Sequence, residues 1–152
     1  MAIPRRKSLP HTIPLWIDPH QEIYFITINC RTRATNQLAT EKIATSLFET
    51  IEHRQVQGLW WPHIFLLMPD HLHALLAFPR EPGMAATIRE WKRGAARLQG
   101  VKWQENFFDH RIRSDKFRAE TWHYIRRNPV AKGLCPDEDS WTYWWSGTLA
   151  AG

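Results

Sequence analysis

At 152 residues the chain is long enough for one domain with a sizeable core and too short for several. Its composition is that of an ordinary globular protein, and no apolar run approaches the length that spans a bilayer, which argues against an integral membrane protein. The net charge of +5 is uneven: residues 89–132 hold 12 Lys and Arg against 5 Asp and Glu, whereas residues 133–152 hold three acids and no base. A basic block of this kind fits a polyanionic partner, nucleic acid above all, or else a solvated basic face.

Residues 1–20 contain Arg5, Arg6, Lys7, four prolines and little periodicity, and read as an irregular basic arm. The segment Glu22 to Cys30 is the first predicted strand. Tyr24, Ile26 and Ile28 share one face and Ile23, Phe25 and Thr27 the other, so it is expected in the middle of a sheet covered on both sides. Thr40 is a fitting N-cap for a helix to Gln57, with Ile43, Leu47 and Ile51 at helical spacing and Gly58 as its stop. Ile64 to Met68 and Leu72 to Phe78 are two apolar runs joined at Pro69-Asp70, a predicted hairpin of buried strands.

Met84 to Gln99 is the second predicted helix. Met84, Ile88, Trp91, Ala95 and Leu98 form its apolar stripe, and Arg89, Lys92, Arg93 and Arg97 its basic face. Lys102 to Ile112 reads as a strand, or a loop and then a strand. Ser114 to Asn128 is the third helix, with Ser114 or Asp115 as N-cap, a kink or restart at Asn128-Pro129, and Gly133 as the final stop. Trp141, Tyr143, Trp144 and Trp145 are expected to pack on an edge. The predicted organisation is an arm over 1–20, one domain over 21–146 and a tail over 147–152. The order strand, helix, strand, strand, helix, strand, helix is the split βαβ pattern. It predicts an α+β, ferredoxin-like antiparallel sheet with helices on one face and an additional helix.

The two cysteines, Cys30 and Cys135, lack metal-ligand spacing, which argues against a zinc cluster, and two free thiols suit a reducing cytoplasm. The N-terminus shows no signal peptide. His71-Leu72-His73 opens the second hairpin strand. Strand alternation puts both imidazoles on one face, which is half of a metal site, although strand histidines more often serve packing. Tyr124 and Asn128 lie one turn apart on one face of the third helix. An Asn carbonyl oxygen there can complete a two-His site, which would hold a tyrosine beside it and leave positions open for a phosphate.

His123 sits about 100° round that helix from Tyr124 and reads as a surface or phosphate contact. His110 is an alternative ligand or a base contact. Glu120, one turn before Tyr124, either accepts the phenol proton or pairs with Lys116. Arg111, Arg113, Arg126 and Arg127 join the second helix's Arg89, Lys92, Arg93 and Arg97 as candidate phosphate contacts. Of the nine tryptophans, Trp91 reads as core. Trp60 and the pair Trp144-Trp145 are candidates for stacking on unpaired bases.

Three motifs in this order, FLLMPDHLHALLAFP, WQENFFDHRIR and YIRRNPVAKGL, resemble the REP-associated tyrosine transposases. These are domesticated relatives of the single-tyrosine, His-hydrophobe-His transposases of bacterial insertion sequences. The resemblance runs from about Tyr24 to Trp145. It implies a ferredoxin-like domain that cuts and rejoins single-stranded DNA at hairpin-forming palindromic repeats. His71, His73 and Asn128 would hold a divalent metal, Mg²⁺ or Mn²⁺, and Tyr124 would be the nucleophile that forms a 5′-phosphotyrosine. It implies no role for the middle motif. It implies a bacterial, cytoplasmic, nucleoid-associated protein, and leaves monomer and homodimer both open. A hairpin-binding protein without catalysis on the same scaffold is the alternative, and a ferredoxin-like domain with structural histidines a third.

Overall fold

The structure, a computed structural model, describes residue 13 and residues 15–147. The expected arm over 1–20 lies mostly outside the described residues, as does the tail over 147–152 apart from Gly147. Five strands and three α-helices follow in chain order: β1 Tyr24–Asn29, α1 Glu41–Val56, β2 Trp61–Leu67, β3 His71–Ala77, α2 Met84–Gln99, β4 Phe108–Arg111, α3 Asp115–Ala131 and β5 Trp144–Ser146. The sheet order is β4-β1-β3-β2-β5, every pair antiparallel. The first four strands with α1 and α2 make the split βαβ arrangement read from the sequence. β5 adds an edge beside β2 and brings the tryptophan-rich segment onto it, as expected.

Strand alternation divides the core in two. Tyr24, Ile26, Ile28, Phe65, Leu67, Leu72, Ala74 and Leu76 face α1 and α2, meeting Ala44, Leu47, Ile51, Met84, Ile88 and Trp91. Ring centroids of Trp60, Phe65 and Trp91 lie 5.3–5.8 Å apart, a geometry that adds about 1 kcal/mol per aromatic pair to the burial itself. Ile23, Phe25, Ile64, Leu66, Leu75 and Ala77 face the other way, onto Ile125 of α3 and Trp141. The additional helix therefore forms a layer of its own, opposite the other two.

Local signals account for most boundaries. Thr40 Oγ1 accepts from the amide of Ile43, and Ser114 Oγ from that of Phe117, fixing the starts of α1 and α3. Gly58 and Gly133, both at positive φ, follow α1 and α3. Of the two readings of Lys102 to Ile112 the second holds: a loop, with Trp103 making just an isolated bridge to Cys30, and then a strand over Phe108–Arg111. One expectation is corrected: the third helix does not break at Asn128, and α3 runs through Pro129 to Ala131. Burial of Ile125, Asn128 and Pro129 holds that stretch helical against the local bias before proline. Among the described residues no helix is long and apolar enough to cross a membrane.

Candidate active site

The site forms where β3 begins and α3 crosses it. His71 and His73 flank Leu72, which is spent on the α1/α2 core, so both imidazoles emerge on the α3 side. Their ring centroids are 4.9 Å apart and nearly perpendicular. The β1–β3 register sets Thr27 opposite His73 and Asn29 opposite His71. His73 Nδ1 lies 3.0 Å from Thr27 Oγ1, and His71 Nδ1 lies 2.8 Å from Asp70 Oδ1.

Asp70 is a hub. Its other oxygen accepts from the Ala34 amide at 2.7 Å and faces Arg33 Nε at 3.2 Å. His71 and the Ala34 amide hold its carboxyl below the usual carboxylate range, outweighing partial burial. Burial pushes His73 down to about 3, and the nearby charges of His71, Lys132 and Arg33 act in the same direction. Burial also lowers His71, which Asp70 opposes. Both imidazoles are thus neutral near pH 7, the form that ligates a metal.

Tyr124, on α3, completes the constellation. Its ring centroid is 6.4 Å from that of His73 and 6.1 Å from that of Phe25. Asn128, one turn on, is 4% exposed, and its Oδ1 is buried with no hydrogen-bond partner. An orphaned buried carbonyl is costly, and this one is free to meet a ligand or a water. Lys132, a further turn along, is exposed and close enough for its charge to depress both histidines. Asn128 therefore lies on α3 between two residues that both reach the histidine pair. Among the described residues no three His, Cys, Asp or Glu side chains could hold a metal together. A cation held by the two imidazoles would need a further donor; the Asn128 amide is the candidate on α3, and two imidazoles with an amide oxygen would suit Mn²⁺ well and Mg²⁺ acceptably.

The other candidates separate. His110 is on the same face, but its strand is two places from β3, about 10 Å across the sheet, and its ring packs on Phe117. His123 is exposed and leans on Trp122. Glu120 pairs with Lys116 at 4.0 Å. Arg89, Arg93 and Arg97 are exposed on α2, a whole layer away from Tyr124. Lys92 leaves that basic face: it is buried, and its ammonium donates to the carbonyls of Gln104 and Glu105. Arg126, 5% exposed, lies 4.0 Å from the Trp144 ring centroid and donates to the Glu138 carbonyl. Arg127 pairs with Glu138 and Arg111 with Glu22, while Arg113 is exposed.

Trp60 is not free for stacking, being 1% exposed with its Nε1 donating to the Ile51 carbonyl. Trp144 and Trp145 are half-buried. A 460 Å³ groove between α1 and α2, lined by Trp91 and Leu98, lies on the layer away from Tyr124 and has no part in its site. Thr27, Asp70, Arg33 and Lys132 are the residues sequence reasoning missed. Thr27 had left a signal, a lone hydroxyl on an otherwise apolar strand face. Asp70 directly precedes His71 but reads simply as a turn residue.

No family model matches the chain. A Haemophilus influenzae protein named, provisionally, as a REP-associated tyrosine transposase is 27% identical over 141 residues, covering 80% of this chain and 77% of its own. A REP-associated tyrosine transposase solved bound to a REP hairpin superposes with a TM-score of 0.70 at 23% identity, over 95% of this chain and 82% of that one. A Deinococcus radiodurans protein, provisionally named a transposase, shares the fold more loosely, with a TM-score of 0.51 at 17% identity over 81% of this chain and 97% of its own. In sequence over most of its length the chain is similar to a protein named as a REP-associated tyrosine transposase, and its fold is that of a solved one.

Proposed function

We propose that the protein is a metal-dependent endonuclease and strand transferase for single-stranded DNA at hairpin-forming repeats, working through a 5′-phosphotyrosine. The observation that carries this reading is Tyr124 packed over His73, with the unpartnered amide oxygen of Asn128 one turn along the same helix. His71, His73 and Asn128 would hold the ion. A bound Mg²⁺ or Mn²⁺ supplies Lewis-acid polarisation of the scissile phosphate. The chain's own residues do the rest. Tyr124 Oη attacks phosphorus, the tyrosyl O–P bond forms, and the P–O3′ bond breaks. The phenol proton passes to solvent and the leaving oxygen takes one up to become a 3′-hydroxyl. The phosphotyrosine conserves the phosphoester, and attack by another 3′-hydroxyl rejoins DNA without a nucleotide cofactor.

Support for the substrate class comes from the solved relative bound to a REP hairpin and from the basic block of this chain. The deciding experiment incubates labelled single-stranded hairpin DNA with the protein and Mn²⁺, and resolves the products on a denaturing gel before and after protease. The expected result is a protein–DNA adduct that disappears with EDTA and in Tyr124→Phe. Tight hairpin binding with no adduct across several repeats would instead establish the non-catalytic binding protein.

A further inference from the structure

Each imidazole of the histidine pair is held at Nδ1 by a different neighbour. The His71 contact has a forced direction. The Asp70 carboxylate is ionised and can only accept, so His71 Nδ1 must carry the hydrogen. Its Nε2 is then left with a bare lone pair. The Thr27 hydroxyl can either accept from or donate to His73 Nδ1, so that contact has no forced direction. Only one choice leaves Nε2 of His73 able to ligate. The unpartnered Asn128 oxygen on α3 faces the same problem from the other side of the site: it is an electron-pair donor with nothing to meet.

We infer that Asp70 and Thr27 are positioning residues for the metal site, each accepting the Nδ1 hydrogen of one imidazole so that both histidines offer Nε2. Asp70 does this while anchored at its second oxygen by the Ala34 amide and Arg33. The loop after β1 is thereby tied to the orientation of His71. Ala34 holds a positive φ of 62°, a conformation a non-glycine residue rarely adopts, at the point where its amide meets Asp70. Thr27 does the equivalent job from the neighbouring strand, through a register that pairs it directly with His73. Partners of this kind fix the tautomer and the ring plane, and losing one typically costs about 10- to 100-fold in metal affinity. This inference rests on the proposed metal site, and its test separates the two.

The first measurement is the ¹⁵N imidazole spectrum of the metal-free protein near pH 7.5, which distinguishes Nδ1–H from Nε2–H. Both histidines are expected as Nδ1–H. In Thr27→Val, a near-isosteric change that removes the acceptor, His73 is expected to shift towards Nε2–H, and Thr27→Ser is expected to restore the native spectrum. The second measurement is Mn²⁺ titration by calorimetry. Thr27→Val and Asp70→Asn are expected to weaken binding about 10- to 100-fold, with Thr27→Ser close to native. Circular dichroism and the melting temperature confirm that each variant is folded. A native His73 found as Nε2–H overturns the inference. So does native-like Mn²⁺ affinity in both folded variants. A native protein that binds no Mn²⁺ sinks the proposed metal site, while the tautomer spectra still decide the positioning roles.

Discussion

At the scale of single residues, the site reads as polar groups placed where burial would otherwise forbid them. His73, on the sheet face that α3 covers, and Asn128, on α3 itself, are both under 9% exposed, and of the two only the Asn128 oxygen is left unpartnered. The sequence exposed the histidine pair, the tyrosine and the asparagine, because strand alternation and helical periodicity depend only on spacing. It hid Thr27, because which side chains face each other across strands depends on register, and Asp70, because a turn residue follows no periodicity that says where its side chain goes. It also misplaced Lys92 and Arg126, whose charges looked solvated yet are tucked against carbonyls and an indole. A half-buried imidazole away from the site gives a stability prediction. His63 on β2 has its pKa lowered by burial, and the charge of Arg118 from α3 adds to the effect. In the unfolded chain it titrates near ~6.5. The folded group binds its proton less readily, so its contribution is fully present above pH ~6.5 and is lost as pH falls below that value. Urea midpoints at pH 7.5 and 5.5 are expected to fall further for the native protein than for His63→Gln. Equal falls would show that His63 is free to protonate in the folded state.

At the scale of elements, α3 carries the proposed nucleophile and is also where local rules mislead. The residue before a proline is biased away from helical geometry, which predicts a break at Asn128. The helix continues because its buried residues, Thr121, Ile125, Asn128 and Pro129, form one stripe against the sheet, and packing outweighs the local preference. That continuity keeps Tyr124, Asn128 and Lys132 in register, one turn apart each. A break would have aimed Asn128 elsewhere. By contrast, the N-terminus of α3 obeys its sequence signal: Ser114 accepts from Phe117 at 3.0 Å. Ser114→Ala is expected to cost about 1 kcal/mol, read as a lower urea midpoint at unchanged slope. Because the cap is more than two turns from Tyr124, adduct formation at saturating DNA should stay within twofold of native. A large loss of adduct in a stably folded Ser114→Ala would mean that the helix entry, not just its middle, is set by the substrate.

At the scale of the whole molecule, the sheet separates two sets of positive charge that the sequence presents as one block. Arg89, Arg93 and Arg97 stand on the α2 layer, while Lys132 of the same block bears on the histidines on the α3 side, joined there by Arg33 from the loop after β1. Proximity along the chain could not reveal this, since the division is made by which face of β1 and β3 each helix covers. A strand held at Tyr124 meets the α3 side first. The consequence is measurable through counterion release, which gives single-stranded DNA binding a salt slope of about 0.7 per phosphate neutralised. Lys132 forms no ion pair among the described residues, so Lys132→Gln removes an available cation and is expected to flatten the slope by about 0.7. The triple change Arg89→Gln, Arg93→Gln and Arg97→Gln would flatten it by about 2 if all three touched the strand. Their position on the far layer predicts a change below 1, even though three charges are lost against one. Arg93 is moreover already engaged with Glu90 at 3.8 Å. Slopes measured on the same hairpin in metal-free buffer keep cleavage out of the comparison. If the triple variant loses the larger slope, the DNA wraps the sheet edge from α3 to α2, and the basic block acts as the single surface its sequence suggests.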